Sequence, residues 1–161
     1  SPSVFDGETV PTMLGLITNI QTGAQQSLHR TFIRKTEDGY LKERRNLPNH
    51  AKAGGVIRLF PDTPALRESG RLAIAEGIET ALSLFQVSDV PCWAAIDAGN
   101  VENFPVLPWV REIWIGEDAE PKGQAAAERV FRRYRRAGKQ AHILSPPGVN
   151  DWNDYLQEVP V

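Results

Sequence analysis

The sequence predicts an α/β chain: a parallel, doubly wound sheet of about four strands flanked by helices, preceded by a small antiparallel β-rich lobe. Three observations carry this. From Arg71 onward, short apolar runs alternate with helical patterns, the grammar of a parallel sheet with crossover helices. Before Pro61, alternating segments are separated by turn signals such as Glu37-Asp38-Gly39, the mark of hairpins. The length of 161 residues, 41% of them hydrophobic, suits one domain or one domain with a small appended lobe.

Taken in order, residues 1–11 read as a tail or linker, with Pro2 and Pro11 among polar residues. Residues 12–66 form the β-rich basic lobe. Its expected strands are Met13–Ile20, Gln26–Lys35 and Tyr40–Leu47, with a further one over Val56–Phe60 after the Gly54-Gly55 turn. Pro61–Gly70 is polar and turn-rich, and the lobe boundary is expected there. Residues 67–161 form the main domain. Leu72–Ala75 is its first strand, followed by a helix over Gly77–Val87 whose apolar face is Ile78, Leu82 and Phe85. Pro91 blocks helical continuation, and Cys92–Ile96 is the second strand, ending in the polar loop Asp97–Asn100. Pro105 and Pro108 keep any next helix short. Glu112–Gly116 is the third strand. A long helix over Gln124–Ala137 follows, apolar along Ala126, Ala127, Val130, Phe131 and Tyr134, and stopped by Gly138. Ala141–Leu144 is the fourth strand, and Asp151 is placed to cap a last short helix holding Trp152 and Leu156.

Composition excludes several classes. No run approaches the roughly 20 apolar residues that span a bilayer, and the N-terminal stretch lacks a basic-then-apolar signal peptide. Cys92 is the one cysteine, so neither a disulfide framework nor a cysteine-based zinc site is expected. His29, His50 and His142 lack metal-ligand spacing. A cytoplasmic location with no membrane partner is the expectation. The net charge of −2 conceals blocks: residues 28–58 carry eight Lys/Arg against three Asp/Glu, residues 59–120 three against eleven, and residues 121–140 seven against one. An acidic centre between basic segments suits a cation site beside a polyanion track.

The acids sit where ligands bind in open α/β sheets, outside the carboxyl ends of strands. Glu76 ends the first core strand, Asp97 the second, and Asp118 with Glu120 the third, while Asp151 and Asp154 follow the fourth. Each taken singly reads equally well as a solvated turn acid. Together they describe crowded carboxylates, which repel one another unless a cation neutralises them, and hard divalent ions such as Mg²⁺ take oxygen ligands.

AEGIETALSL, IWIGEDAEPKGQAAA and GVNDWNDYL, in that order, resemble the Toprim domain shared by topoisomerases and bacterial-type primases. The resemblance covers roughly residues 12–157 and is nearest to phage- and plasmid-encoded primase or primase–helicase proteins; the upstream LHRTFIRK and VIRLF look like the lobe that precedes Toprim in them. It implies a Toprim-like (Rossmann-like) fold and a DNA primase, a nucleotidyltransferase that makes RNA primers in phage or plasmid replication. By this resemblance Glu76 matches the catalytic glutamate, a general acid/base or metal-shell residue. Asp118 and Glu120 match the paired metal ligands, and Asp97, Asp151 and Asp154 stand as further acidic positions. The implied cofactor is Mg²⁺, with Mn²⁺ able to substitute. The implied partners are a single-stranded DNA template, nucleoside triphosphates and a helicase or other replication domains. Arg30, Arg44, Arg45, Lys52 and Arg58 are the expected nucleic-acid and nucleotide contacts through phosphates. Glutamate at position 120, where the family pattern has aspartate, is the chief departure, and its extra methylene shifts any coordination geometry.

Neither a zinc ribbon nor a GxxxxGK[ST] phosphate loop occurs in the sequence, so the chain is expected to be either a fragment of a larger protein or a reduced stand-alone one. A degenerate module that binds metal, nucleotide or single strands without turnover is the alternative, and a Toprim nuclease is another. The Arg129–Arg136 face reads either as solvated helix surface or as a second nucleic-acid contact. Trp93, Trp109, Trp114 and Trp152 read as core, with Trp152 the one that could stack a base.

Overall fold

The computed structural model describes residues 2–5, 7–37, 39–48, 50–148, 152, 155 and 156. Nine strands join in one sheet among them. The antiparallel half comprises β1 (Pro2–Phe5), β2 (Glu8–Asn19), β3 (Gln25–Thr36), β4 (Gly39–Asn46) and β5 (Gly55–Ile57). Helix α1 (Pro64–Ser69) leads into β6 (Arg71–Ala75), α2 (Ile78–Ser88), β7 (Cys92–Ala94), α3 (Ala98–Glu102), β8 (Glu112–Gly116), α4 (Pro121–Arg136) and β9 (Gln140–Leu144). The order across the sheet is β4-β3-β2-β5-β7-β6-β8-β9, with β1 paired to β2. β7, β6, β8 and β9 are mutually parallel, as the α/β reading predicts.

The antiparallel and parallel halves share one sheet. β5 pairs antiparallel with β7 through Ile57 and Ala94, fusing the two halves into one surface. Ile17 and Ile57 pack in the same cluster as Ala73 and Ala75, and Ile20 and Val56 in the same cluster as Leu72 and Ile74. The expected division after residue 66 falls inside α1, whose Leu66 is buried with Leu72. The signals for this helix are local: Thr63 caps it by accepting from the Leu66 amide, Pro64 opens it, and Gly70 closes it at φ 66°. Within the expected 1–11 tail, Pro2–Phe5 form β1 and Glu8 opens β2. Gly7 at φ 82° supplies the left-handed turn that lets them pair.

Alternation along β6 sorts the two faces. Leu72 and Ile74 point to the side covered by α3 and α4, where Trp93, Ile113, Ile115, Val130 and Tyr134 complete the larger core. Ala73 and Ala75 point to the side covered by α2, together with Ala94 and Cys92. Small residues on that side let α2 approach closely through Ile78, Ala81 and Leu84. The stripe is therefore centred on Ala81 and Leu84, and Leu82, expected to be buried, is 42% exposed. The apolar face of α4 is the expected one: Ala126, Ala127, Val130 and Tyr134 are buried. Trp93 and Trp152 are core residues, and Trp152 packs with the α2-side cluster. The Cys92 thiol is fully buried, and burial raises its pKa well above the usual thiol range.

Tyr134 ties α4 to the irregular 103–111 connection. Its hydroxyl accepts from the Leu107 amide (3.2 Å) and donates to the Pro105 carbonyl (3.0 Å), and burial pushes its pKa up to about 12. Tyr134→Phe leaves both backbone groups without this partner. It is expected to cost about 1–3 kcal/mol, read as a lower midpoint in urea unfolding with an unchanged slope.

Candidate active site

The site lies at the carboxyl ends of the parallel strands. Glu76 follows β6, and Asp118 and Glu120 follow β8, and all three line one cavity of about 890 Å³. Parallel pairing of β6 with β8, Ile74 beside Ile115, brings these segments out of the sheet next to each other. Glu120 is the N-cap of α4 and Pro121 its first residue, so the helix begins earlier than the expected Gln124. Gly123 makes that start possible: a Cβ there would lie 3.0 Å from the Asp118 Cβ and 3.1 Å from the Asp118 carbonyl oxygen. Beside them Ile96, at φ 78°, donates its amide to the Glu76 carbonyl (2.8 Å). A β-branched residue in the left-handed region is a strained one, and here it stands on the cavity wall.

Electrostatics mark Glu76. Its pKa is raised, by burial first and then by the negative charges of Asp118, Asp97 and Glu120, with Lys122 opposing. Asp97 is placed differently. It caps α3 by accepting from the Asn100 amide and pairs with Lys52 Nζ at 2.8 Å. Burial alone would raise its pKa, but the Lys52 and backbone hydrogen bonds outweigh that and hold it low. Among the described residues no three His, Cys, Asp or Glu side chains gather closely enough to hold a metal ion. Asp151 and Asp154 lie outside the described residues.

Part of the same cavity's lining comes from the antiparallel half. His29 of β3 and Lys42 and Arg44 of β4 line it, with Glu79 and Thr80 from the first turn of α2. Glu79 accepts from Arg44 Nη2 at 2.9 Å and sits 3.9 Å from Lys42 Nζ. Burial raises the Glu79 pKa, but the Arg44 hydrogen bond and the two cations prevail and lower it. His29 Nδ1 donates to Asn46 Oδ1 at 2.9 Å, and the two residues face each other across β3 and β4.

Of the five basic residues expected to contact nucleic acid, only Arg44 lines this cavity. Arg30 and Arg45 are cross-strand partners one residue out of phase with His29 and Arg44, which places them on the other face of the sheet. Arg45 pairs with Glu43 at 2.6 Å. Lys52 is held by Asp97. Arg58 is a structural group: Nη2 donates to the carbonyls of Asn19 (3.0 Å) and Ile20 (2.9 Å), Nη1 donates to the Thr18 hydroxyl, and the guanidinium lies 4.5 Å from the Trp93 ring centroid. Glu79, Lys42, His29 and Lys122 were not anticipated as site residues. The period-2 phase of YLKERRN, which puts Lys42 with Arg44 and against Arg45, is the signal that would have found Lys42.

The sequence matches the Toprim domain family over residues 71–160. The chain belongs to the Toprim family. No curated protein matches it. Among solved structures, the zinc-binding and RNA polymerase domains of the Aquifex aeolicus primase align with 97% of this chain and 40% of that one, at 16% identity and a TM-score of 0.62. The RNA polymerase domain of Mycobacterium tuberculosis primase DnaG aligns with 91% of this chain and 51% of its own, at 15% identity and a TM-score of 0.57. A DNA primase domain from Pseudomonas aeruginosa aligns with 98% and 51%, at 15% identity and a TM-score of 0.55. The Toprim chain thus spans about half or less of the solved primase chains whose fold it shares. No described helix is long and apolar enough to cross a membrane.

A raised folded-state pKa means that ionising Glu76 costs more in the folded protein than in the unfolded chain, so its penalty is absent below the unfolded value and complete above the folded one. Glu76→Gln is therefore expected to match the parent at acid pH and to become the more stable as pH rises through the carboxylate range. Solvent screening of this half-exposed group keeps the gain below about 1 kcal/mol. Thermal melts across pH check it, and a gain largest in acid would contradict it.

Proposed function

We propose that the chain is the nucleotidyltransferase domain of a DNA primase of phage or plasmid type, part of a larger replication protein that lays RNA primers on a single-stranded DNA template. The observation that carries this reading is the cavity itself: the crowded carboxylates of Glu76, Asp118 and Glu120 and the cations of Lys42 and Arg44 line the same space. Such a vessel suits a metal-bound triphosphate, with negative charge attracted to one side and a cation to the other. Two solved structures similar in fold support the nucleic-acid part: a DnaG primase catalytic domain bound to single-stranded DNA and the M. tuberculosis domain in complex with double-stranded DNA.

The donor set fits Mg²⁺ or Mn²⁺ in part. Carboxylate oxygens of the right hardness share one cavity, and their mutual repulsion, seen in the raised Glu76, is what a cation relieves. Among the described residues no three acids close into a cage, and Mg²⁺ commonly keeps several waters and takes only one or two carboxylates. Asp118 and Glu120 would hold it, with Glu76 beside them. When bound, the ion would neutralise phosphate charge and favour in-line attack by a primer 3′-hydroxyl. Glu76, held above its ordinary pKa, is suited to keep or pass a proton at its carboxylate. Arg44 and Lys42 would hold phosphate oxygens, and Glu79 fixes both side chains at the wall. Thr80 and Ile96 complete the cavity's lining beside α2 and ahead of α3.

Glu120, where the family pattern has aspartate, favours a second reading: a module that binds nucleotide and metal without turnover.

Template-dependent ribonucleotide incorporation, assayed with Mg²⁺ or Mn²⁺ and the full replication protein, separates the readings. Glu76→Ala is expected to reduce synthesis at least about 100-fold while metal-dependent nucleotide binding, followed by calorimetry, persists. Full synthesis by Glu76→Ala would remove the catalytic assignment. Nucleotide binding with no synthesis by the parent protein would establish the non-catalytic module.

A further inference from the structure

Helices α3 and α4 leave a groove of about 460 Å³ lined by Glu102, Arg129, Arg132, Arg133 and Arg136. The ordinary explanation of cations on a helix is its dipole, and Arg133 and Arg136 in the last turn of α4 fit it. Arg129 lies a full turn before Arg133, and Arg132 falls just outside the last turn, so the dipole accounts least for these two. Packing explains one member only: Arg133 Nη1 donates to the carbonyls of Glu102 and Phe104, both at 2.8 Å. Arg129, Arg132 and Arg136 are exposed. Arg129 pairs with Glu102 and Arg132 with Glu128, leaving the four arginines with a net surplus of two positive charges over these two acids.

Direction matters as much as charge. Asp97 caps α3 and Glu120 caps α4, so both helices start at the carboxylate end of the sheet and run away from it. Arg129–Arg136 then stand roughly 12–22 Å along the α4 axis from Pro121, with one arginine or pair for each turn of about 5.4 Å. A repeat of this size is on the scale of successive phosphates in an extended strand, and a positive groove that tracks a backbone is how single strands are held without sequence preference.

We infer that the α3–α4 groove is a track for the sugar–phosphate backbone of a single-stranded nucleic acid, continuing from the acidic cavity along Arg129, Arg132 and Arg136. The track needs only strand binding and does not depend on catalysis at Glu76, so the two can fail separately. Glu102 moderates it by occupying Arg129, which tunes the groove towards a polyanion able to displace a carboxylate.

Fluorescence anisotropy with a labelled, mixed-sequence single-stranded DNA of about 20 nucleotides tests it, using the protein at salt from about 50 to about 200 mM. Replacing Arg129, Arg132 and Arg136 together by alanine is expected to make the slope of log K against log salt shallower by about 2, three contacts at about 0.7 each. Affinity near the middle of that range should fall at least about tenfold, with the melting temperature and nucleotide binding unchanged. Glu102→Gln, which frees Arg129, should tighten strand binding. A triple variant with the parent's slope and affinity overturns the track, as does a parent that binds no single strand. A Glu76→Ala protein that loses synthesis but keeps the parent's slope supports it.

Discussion

Parallel pairing of β6 with β8 is the constraint on which the molecule depends. Neighbouring parallel strands end on the same edge, so the residues that follow them leave the sheet side by side whether or not their charges agree. Here those residues are Glu76 on one strand and Asp118 with Glu120 on the other. Hydrogen bonding and the burial of Ile74, Ile113 and Ile115 fix the backbone, and the carboxylates inherit an arrangement they would not choose. The raised pKa of Glu76 is the electrostatic trace of that imposition. A site of this kind is built by the core and tolerated by the charges.

The antiparallel half supplies what the acids lack. Because β5 is bonded to β7, the long β2–β3–β4 meander continues the same sheet and extends its face beyond the strand ends. His29, Lys42 and Arg44 line the cavity from it. The acid–base division of the chain, visible as blocks in the sequence, becomes two walls of one cavity. Lys52 pairs with Asp97, and Asn100 accepts from the Gly54 amide and donates to the Lys52 carbonyl. These contacts hold the 52–54 turn against α3, so the walls are joined by polar contacts as well as by the sheet.

Much of this was legible before any coordinates, for identifiable reasons. The strand–helix alternation after Arg71 has strong periodicity and clear stops at Pro91 and Gly138, and the parallel sheet follows from it. Glu76, Asp118 and Glu120 are readable because strand-end acids need no knowledge of side-chain direction. The basic candidates fared differently, because their role depends on which face of a strand they occupy. A one-residue change of phase separates Arg44, on the cavity, from Arg45, turned away. Arg58 looks like a surface cation in sequence, yet backbone carbonyls and Trp93 consume its donors and its face. Leu82 fits the helical stripe as well as Ala81 does, and only the alanines of β6 and β7 decide which one faces inward. Glu79 was hidden because its partners lie 35 and 37 positions upstream on β4.

The buried Cys92 gives the protein a built-in reporter. Its thiol lies at zero exposure on the central strand β7, and burial makes the thiolate hard to form. The thiolate is the nucleophile towards alkylating reagents, and this sulfur, packed on the face covered by α2, meets them only when that cover opens. The rate of its modification therefore clocks the opening of the α2 side of the sheet. A cysteine placed on the surface would be the fast-reacting thiol, free for a dye or a spin label without first removing the native one.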